Sequence, residues 1–347
     1  MAPEVDAGGG APSRGVRKRP TLKDVAQEAG VSPALVSMVL SGRPGPSPAS
    51  ASRILEVADK MGYRPDRAAS LLARHRTGLV GVTITPTNPY HGAVVEELLT
   101  RAHDRGYEVL LSAMSPRHDY RQSLESLVSS RCEALVLLNP QLPPNELATL
   151  VAGIPTVCFG RQLQIPHVDV VAVDEDAAMR MLVDHLADLG HRDIVHVDGG
   201  DQELADERRE GFEKAMRKRR LRPRVISGGE TMEDGRLAAA AIAQDPSVTA
   251  AVAFNDLSAI GLIDELRRLG RRVPEEVSVT GFDDIWLADI DAIGLTTVDP
   301  AALDQARISL DLVLERVHGS RTRRTTRMVE PHLVARGSTA RYRTAAG

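Results

Sequence analysis

Polar side chains standing just past apolar runs are the residues of this chain best placed to do chemistry. Thr85, Tyr90 and His91 follow the run that starts at Gly78, Arg161 comes soon after Phe159, and Asp174 follows Val173. Asp198 follows Val197, Asn255 and Asp256 close Ala-Ala-Val-Ala-Phe, and Asp283 and Asp284 close Val-Ser-Val-Thr-Gly-Phe. Hydroxyls, amides, carboxylates and a guanidinium gathered in one place suit a hydroxylated small molecule, which needs many directed hydrogen bonds. Catalysis needs more. The chain has no Gly-x-Gly-x-x-Gly after its first apolar run, no Walker sequence, no Gly-x-Ser-x-Gly and no zinc-ligand spacing. Several of these residues also have structural uses. Asp256 and Asp284 are expected to cap helices, His91 to sit at a helix start or between lobes, and Asp198 to fold a loop around Gly199-Gly200.

A second chemistry is phosphate neutralisation. Between Arg14 and Arg76 stand twelve basic residues (Arg14, Arg17, Lys18, Arg19, Lys23, Arg43, Arg53, Lys60, Arg64, Arg67, Arg74, Arg76) against Asp24, Glu28, Glu56, Asp59 and Asp66. That is an excess of seven positive charges at one end of a chain whose total is −4. Such asymmetry is what contact with a nucleic-acid backbone requires. Aromatics make up 3% of the chain, too few for a base-stacking platform of the single-strand kind.

The elements that must position these groups begin at Thr21. Thr21 and Asp24 have capping-box spacing, so a helix opens at Leu22, and Gly30 closes it. Ser32-Pro33 starts a second helix. Leu22, Val25, Ala26 and Ala29 on the first and Val36, Val39 and Leu40 on the second give each an apolar side, with Val31 at the corner. The pattern is a helix-turn-helix. Ser47-Pro48 caps a third helix carrying Ile54, Val57, Ala58 and Met61, which Gly62 ends. The second helix is expected in the major groove, presenting Pro33, Ala34, Ser37 and Met38; Thr21, Lys23, Ser32, Arg43 and Arg53 complete the DNA-facing candidates in this head.

From Gly78 the texture alternates. Strands at 78–85, 107–113, 134–138, 155–159 and 169–173 are interleaved with helices at 91–105, 119–130 and 144–151. A second series follows: helices at 176–189, 205–218 and 257–269, strands at 193–197, 250–254 and 278–282. Strands alternating with helices imply right-handed crossovers and parallel sheets. Two such series predict an α/β core of two doubly wound lobes, like a periplasmic binding protein, with ligand at the carboxyl ends of strands.

Thr21 to Leu40, Tyr63 to Arg74 and Thr77 to Val82 resemble the head, hinge and first core strand of the lac and gal repressor family of bacterial transcription regulators. Arg208-Arg209-Glu210-Gly211-Phe212, Phe254-Asn255-Asp256, Gly281-Phe282-Asp283-Asp284 and Leu295-Thr296-Thr297-Val298 extend the resemblance from about Thr21 to Thr339. It implies a homodimeric operator-binding regulator, most often a repressor, controlled by a small effector, with no enzyme activity and no cofactor. It implies effector contacts from Arg208, Asn255 and Asp283. It also implies a hinge in which Arg67 and Ala69 meet DNA and Leu72 wedges into a minor-groove step. Departures matter too. Leu35 and Met38 stand where relatives usually carry Thr and Arg, Gly160 where many have Asp, and Glu230 near a pocket aromatic that Trp286 is the candidate to replace.

Domain boundaries follow from these readings. Residues 1–19 form a disordered basic tail, 20–63 the head, 64–77 the hinge, 78–339 the core and 340–347 a tail. Within the core, the N-lobe takes about 78–173 and 298–325, the C-lobe about 174–297 and 326–339. A length of 347 residues accommodates this. Cys132 and Cys158, in or beside apolar runs, read as buried inert thiols. No run approaches the roughly eighteen apolar residues of a membrane span and the N-terminus has no apolar signal core, so the protein is expected in the bacterial cytoplasm on the nucleoid, with no membrane partner. An α/β sugar-handling enzyme fused to a DNA-binding head is the alternative. A transporter-associated sugar receptor is contradicted by the absent signal and the basic head.

Overall fold

The computed structural model describes residues 20–40, 44–63, 76–115, 117–201 and 204–343. The chain divides into two compact units, residues 1–76 and 77–347. In the first, α1 (Leu22–Glu28), α2 (Pro33–Leu40) and α3 (Pro48–Lys60) pack on one another. Asp24 accepts from the Thr21 backbone N–H at 2.7 Å and donates its own N–H back to the Thr21 hydroxyl at 3.4 Å, closing the capping box. Gly30 turns the chain at φ +64°, and the Ser32 and Ser47 hydroxyls each accept at 3.3 Å, from the Leu35 and Ser50 N–H groups. Val25, Ala26, Ala29, Val36, Ile54, Ala58 and Tyr63 form the buried centre, against which Leu35, Val39 and Leu40 pack.

The second unit runs β1 (Leu79–Ile84), α4 (Pro89–Asp104), β2 (Glu108–Ala113), α5 (Tyr120–Ser129), β3 (Ala134–Leu138), α6 (Pro144–Leu150), β4 (Thr156–Phe159) and β5 (Val168–Val173). It continues α7 (Glu175–Asp188), β6 (Ile194–Val197), α8 (Ala205–Lys218), β7 (Val225–Ile226), α9 (Met232–Ala243), β8 (Ala250–Ala253), α10 (Asp256–Arg268) and β9 (Ser278–Thr280). A 3-10 turn (Trp286–Asp289), β10 (Thr297–Asp299), α11 (Ala302–Val317), β11 (Thr326–Val329) and β12 (His332–Val334) complete it. The N-lobe sheet is parallel in the order β11-β5-β4-β3-β1-β2, the C-lobe sheet in the order β7-β6-β8-β9, and β10 pairs antiparallel with β12. Each sheet reverses its winding beside its first strand, between β1 and β3 and between β6 and β8. At such switch points the loops diverge and leave a crevice at the carboxyl ends.

Two boundaries move from those read in the sequence. Residues 326–329 belong to the N-lobe sheet, not the C-lobe, because β11 lies alongside β5 with Thr326 opposite Val170 and Val329 opposite Val173. Asp169 fixes this edge. Fully buried, it accepts from Arg316 and Arg321, each at 2.7 Å, and from the Thr325 N–H at 2.6 Å. Burial alone would raise its pKa, but the arginine hydrogen bonds hold it below the usual value. The tail also starts later than residue 340, since the Ala340 carbonyl pairs with His191 at 3.0 Å and the Tyr342 N–H reaches the Leu189 carbonyl at 2.9 Å. In the C-lobe, α9 and α10 touch backbone to backbone: a Cβ on Gly261 would lie 1.9 Å from the Met232 carbonyl, one on Gly235 2.0 Å from that of Ser258.

Candidate functional site

The two switch points of the core face one cleft, partly open to solvent. Its two walls differ in chemistry. From the N-lobe come Thr85 past β1, Tyr90 and His91 in the first turn of α4, Asn139 past β3, Gly160 past β4 and Gln305 in the first turn of α11. All are neutral polar or small. From the C-lobe come Glu175 at the start of α7, Arg208 on α8, Glu230 before α9, Phe254 and Asn255 past β8, and Phe282 and Asp283 past β9. This wall carries the charge.

Arg208 is its centre. It is 5% exposed, donates from Nε to Glu175 at 3.1 Å and from Nη1 to the Phe254 carbonyl at 2.6 Å, and sits 3.9 Å from an Asp283 oxygen. Its guanidinium lies 3.6 Å from the ring centre of Phe282 and 4.7 Å from that of Phe254. Rings and carbonyl hold the fork in one pose. Asp283 takes a left-handed φ of +114°, followed by Asp284 at +47°, and its N–H donates to the Val298 carbonyl at 2.9 Å. Such geometry costs about 1–3 kcal/mol and persists only where the surroundings enforce it. Burial pushes the Asp283 pKa up to about 7; Arg208 opposes this, while Glu175 and Glu230 reinforce it. Burial likewise raises the pKa of Glu175 and Glu230.

On the facing wall, His91 Nδ1 accepts from the Thr85 N–H at 2.9 Å, which leaves the ring proton on Nε2. Burial lowers its pKa to about 4, so it stays neutral at physiological pH. Gln305 donates from Nε2 to the Pro300 carbonyl at 2.7 Å and to the Tyr90 hydroxyl at 3.3 Å. A Cβ on Gly160 would fall 2.1 Å from Asn139 Oδ1, so the Asn139 amide fills the space where an Asp at 160 would start.

Of the residues nominated from sequence, Thr85, Tyr90, His91, Arg208, Glu230, Asn255 and Asp283 line the cleft; Arg161, Asp174 and Trp286 do not. Arg161 turns back to the Pro140 carbonyl at 2.8 Å. Asp174 caps α7 by accepting from the Ala177 N–H at 2.9 Å, and its neighbour Glu175 faces the cleft instead. Trp286 is 69% exposed in the 3-10 turn, so it does not supply the missing aromatic platform. Two capping expectations also change. Asn255, not Asp256, caps α10, accepting from the Ser258 N–H at 2.8 Å while its Nδ2 donates to the Glu230 carbonyl at 3.0 Å. Asp256 staples loops by accepting from the Thr297 hydroxyl at 2.6 Å and the Ile285 N–H at 2.8 Å, and Asp284 pairs with Arg336 at 2.7 Å. Asp198 does fold its loop, taking the N–H groups of Gly200 and Gly228 at 3.1 Å each.

In the head, Thr21, Lys23, Ser32, Pro33, Ala34, Ser37 and Arg53 are exposed and Met38 is half-buried. Met38 packs at Gly45, where a Cβ would meet its terminal methyl at 3.1 Å. Arg43, Arg67, Ala69 and Leu72 lie outside the described residues.

Residues 21–66 match the pattern of bacterial regulatory proteins of the lacI family, and residues 183–339 that of a periplasmic binding protein-like domain. An uncharacterized HTH-type transcriptional regulator of the aml 5′ region in Streptomyces limosus is 32% identical over 96% of this chain and 98% of its own length. Among solved structures, a LacI transcriptional regulator from a Rhodococcus species is 36% identical with a TM-score of 0.73, covering 76% of this chain and 98% of the other. The complex of transcriptional regulator CelR with cellobiose is 27% identical with a TM-score of 0.68, covering 92% and 100%.

Proposed function

The chain belongs to the lacI family of bacterial regulatory proteins, and from that premise we propose that it is a repressor whose homodimer holds a near-palindromic operator until a sugar-like effector enters the core cleft. It is a DNA-binding transcription regulator, not an enzyme. The observation that carries the effector assignment is the cleft itself. Convergent hydroxyl, amide and charged groups line it, and Arg208 is held in one pose by two rings, a carbonyl and a carboxylate. The similarity to the CelR–cellobiose complex supports a carbohydrate there. Arg208, Asn255, Asp283, Thr85, Tyr90, His91 and Glu230 are its ligand-contacting residues in this reading. Pro33, Ala34 and Ser37 meet bases, and Lys23, Arg43 and Arg53 meet phosphates.

Coupling passes through the hinge, where Leu72 wedges into the operator only while the two cores hold paired hinges together. An effector that favours one lobe angle by a few kcal/mol suffices for a roughly hundredfold change in operator affinity. The site of action is the cytoplasm, on the nucleoid; no described helix is long and apolar enough to cross a membrane. The test is to select genomic fragments with the purified protein and then titrate sugars into the complex. A two-fold-symmetric site released by one sugar is expected. Equal retention of every fragment, with or without sugars, refutes the reading.

A further inference from the structure

The charged wall of the cleft does not balance. Among the described residues that line it, three carboxyl groups, Glu175, Glu230 and Asp283, face one guanidinium, Arg208. That guanidinium is engaged by the protein itself, bonded to Glu175 and to the Phe254 carbonyl and packed on the Phe282 and Phe254 rings. Its Nη2 lies 3.9 Å from Asp283, and carboxyls outnumber the guanidinium three to one on this wall. Glu230 lines the cleft with no side-chain hydrogen bond or ion pair among the described residues, and the Asp283 carboxylate has only its 3.9 Å approach to Arg208. The same two rings are unavailable as a platform for a sugar face.

The neutral wall sets a second requirement. Gln305, 1% exposed, leaves Oε1 without a partner, and its orientation is set because Nε2 is bound to a carbonyl. His91, 4% exposed, leaves its Nε2–H without an acceptor. Buried polar atoms left unpaired cost free energy that a ligand recovers by meeting them. A hydroxyl can serve both, accepting from His91 or donating to Gln305; a carboxylate or phosphate oxygen can only accept.

We propose that the effector is an amino sugar, its ammonium group held by Glu230 and Asp283 and its hydroxyls meeting Gln305 and His91 across the cleft. This rests on the reading of the cleft as a carbohydrate site and narrows it to the cationic members of that class. The mutual repulsion of Glu230, Glu175 and Asp283, which helps raise the Asp283 pKa, is what a bound cation relieves.

Calorimetry on the full chain tests it with glucosamine, galactosamine and β-linked diglucosamine, each against glucose, galactose and cellobiose, with gluconate and glucose 6-phosphate as anionic probes. At least one amine should bind about tenfold or more tighter than its neutral counterpart, the worth of one charge-assisted hydrogen bond, with the anions weakest. Glu230→Gln, and independently Glu230→Ser, should cut that preference severalfold, Asp283 retaining the remainder. A neutral sugar that binds as tightly as its amine overturns the amine assignment and leaves the carbohydrate site standing. If no member of either series binds, both readings fail.

Discussion

Asp283 concentrates the strain of the site in one side chain: a left-handed backbone, a carboxyl only 11% exposed and two carboxylate neighbours against one arginine. Its folded-state pKa of about 7 lies above the ordinary 3.8, so its contribution to stability is complete below 3.8 and lost as pH rises through 7. Asn at this position does not titrate. Asp283→Asn is therefore expected to gain stability relative to the parent across that window, by on the order of 4 kcal/mol between its ends. Parallel denaturant melts at pH 4 and pH 8 measure this; a constant difference between the two proteins shows that Arg208 already offsets the burial and the repulsion from Glu175 and Glu230. In the head, Met38→Arg restores a bidentate donor beside exposed Ser37. It should raise preference for half-sites with an added guanine by about 1–3 kcal/mol, read from binding to randomised operators. No change in preference places position 38 away from the bases. Strand ends explain what could be read ahead at this scale: Thr85, Asn255 and Asp283 stand where a parallel strand hands over to its loop. Asn139 stands at the same kind of position past β3, so the same rule reaches it. Glu175 and Gln305 escape the rule because they sit in helices after lobe crossings, where a turn of one residue decides which side chain meets the cleft.

Elements were legible where local signals and tertiary packing agreed. Thr21, Ser32 and Ser47 cap the three head helices at the expected starts, and most of the alternating strands and helices from β1 to β9 lie within a few residues of their sequence-based bounds. The rest is different in kind. Helix α9 escapes the sequence reading although Thr231 and Asp234 have the capping-box spacing of Thr21 and Asp24, because the four alanines Ala238 to Ala241 blur the polar–apolar period behind that start. Strands β10 and β12 are three residues each and exist because they pair with one another. The approach of α9 to α10 is equally invisible locally, yet it yields a sharp expectation. Gly→Ala inside a helix normally gains up to about 1 kcal/mol from propensity. At Gly261 the added carbon would stand 1.9 Å from the Met232 carbonyl, which is backbone and cannot swing aside. Overpacking wins, and Gly261→Ala should destabilise the core by about 1–3 kcal/mol or more. Because Glu230 and Asn255 precede these two helices, effector affinity should fall with it. A melt in which Gly261→Ala is as stable as the parent shows that the helices can part without loss.

At the scale of the whole molecule, sensing and DNA contact belong to different units of the chain, so they should be separable by mutation. Arg208→Ala is the obvious probe and a poor one. It strands the buried Glu175 and Asp283 carboxyls, and removing one partner of such a cluster costs about 3–5 kcal/mol, enough to lose the response through unfolding alone. Replacing the pair together avoids this: Arg208→Met with Glu175→Gln removes cation and anion at similar volume, which is often close to neutral for stability. The double variant should melt near the parent and far above Arg208→Ala. It should bind operator with parental affinity yet fail to let go when effector is added, because the bonds and ring contacts that set the charged wall are gone. Operator titrations with and without effector, alongside melting curves of all three proteins, separate the possibilities. Release of the double variant at the parental effector concentration would place the sensing contacts elsewhere than the Arg208 cluster, even with its stability intact.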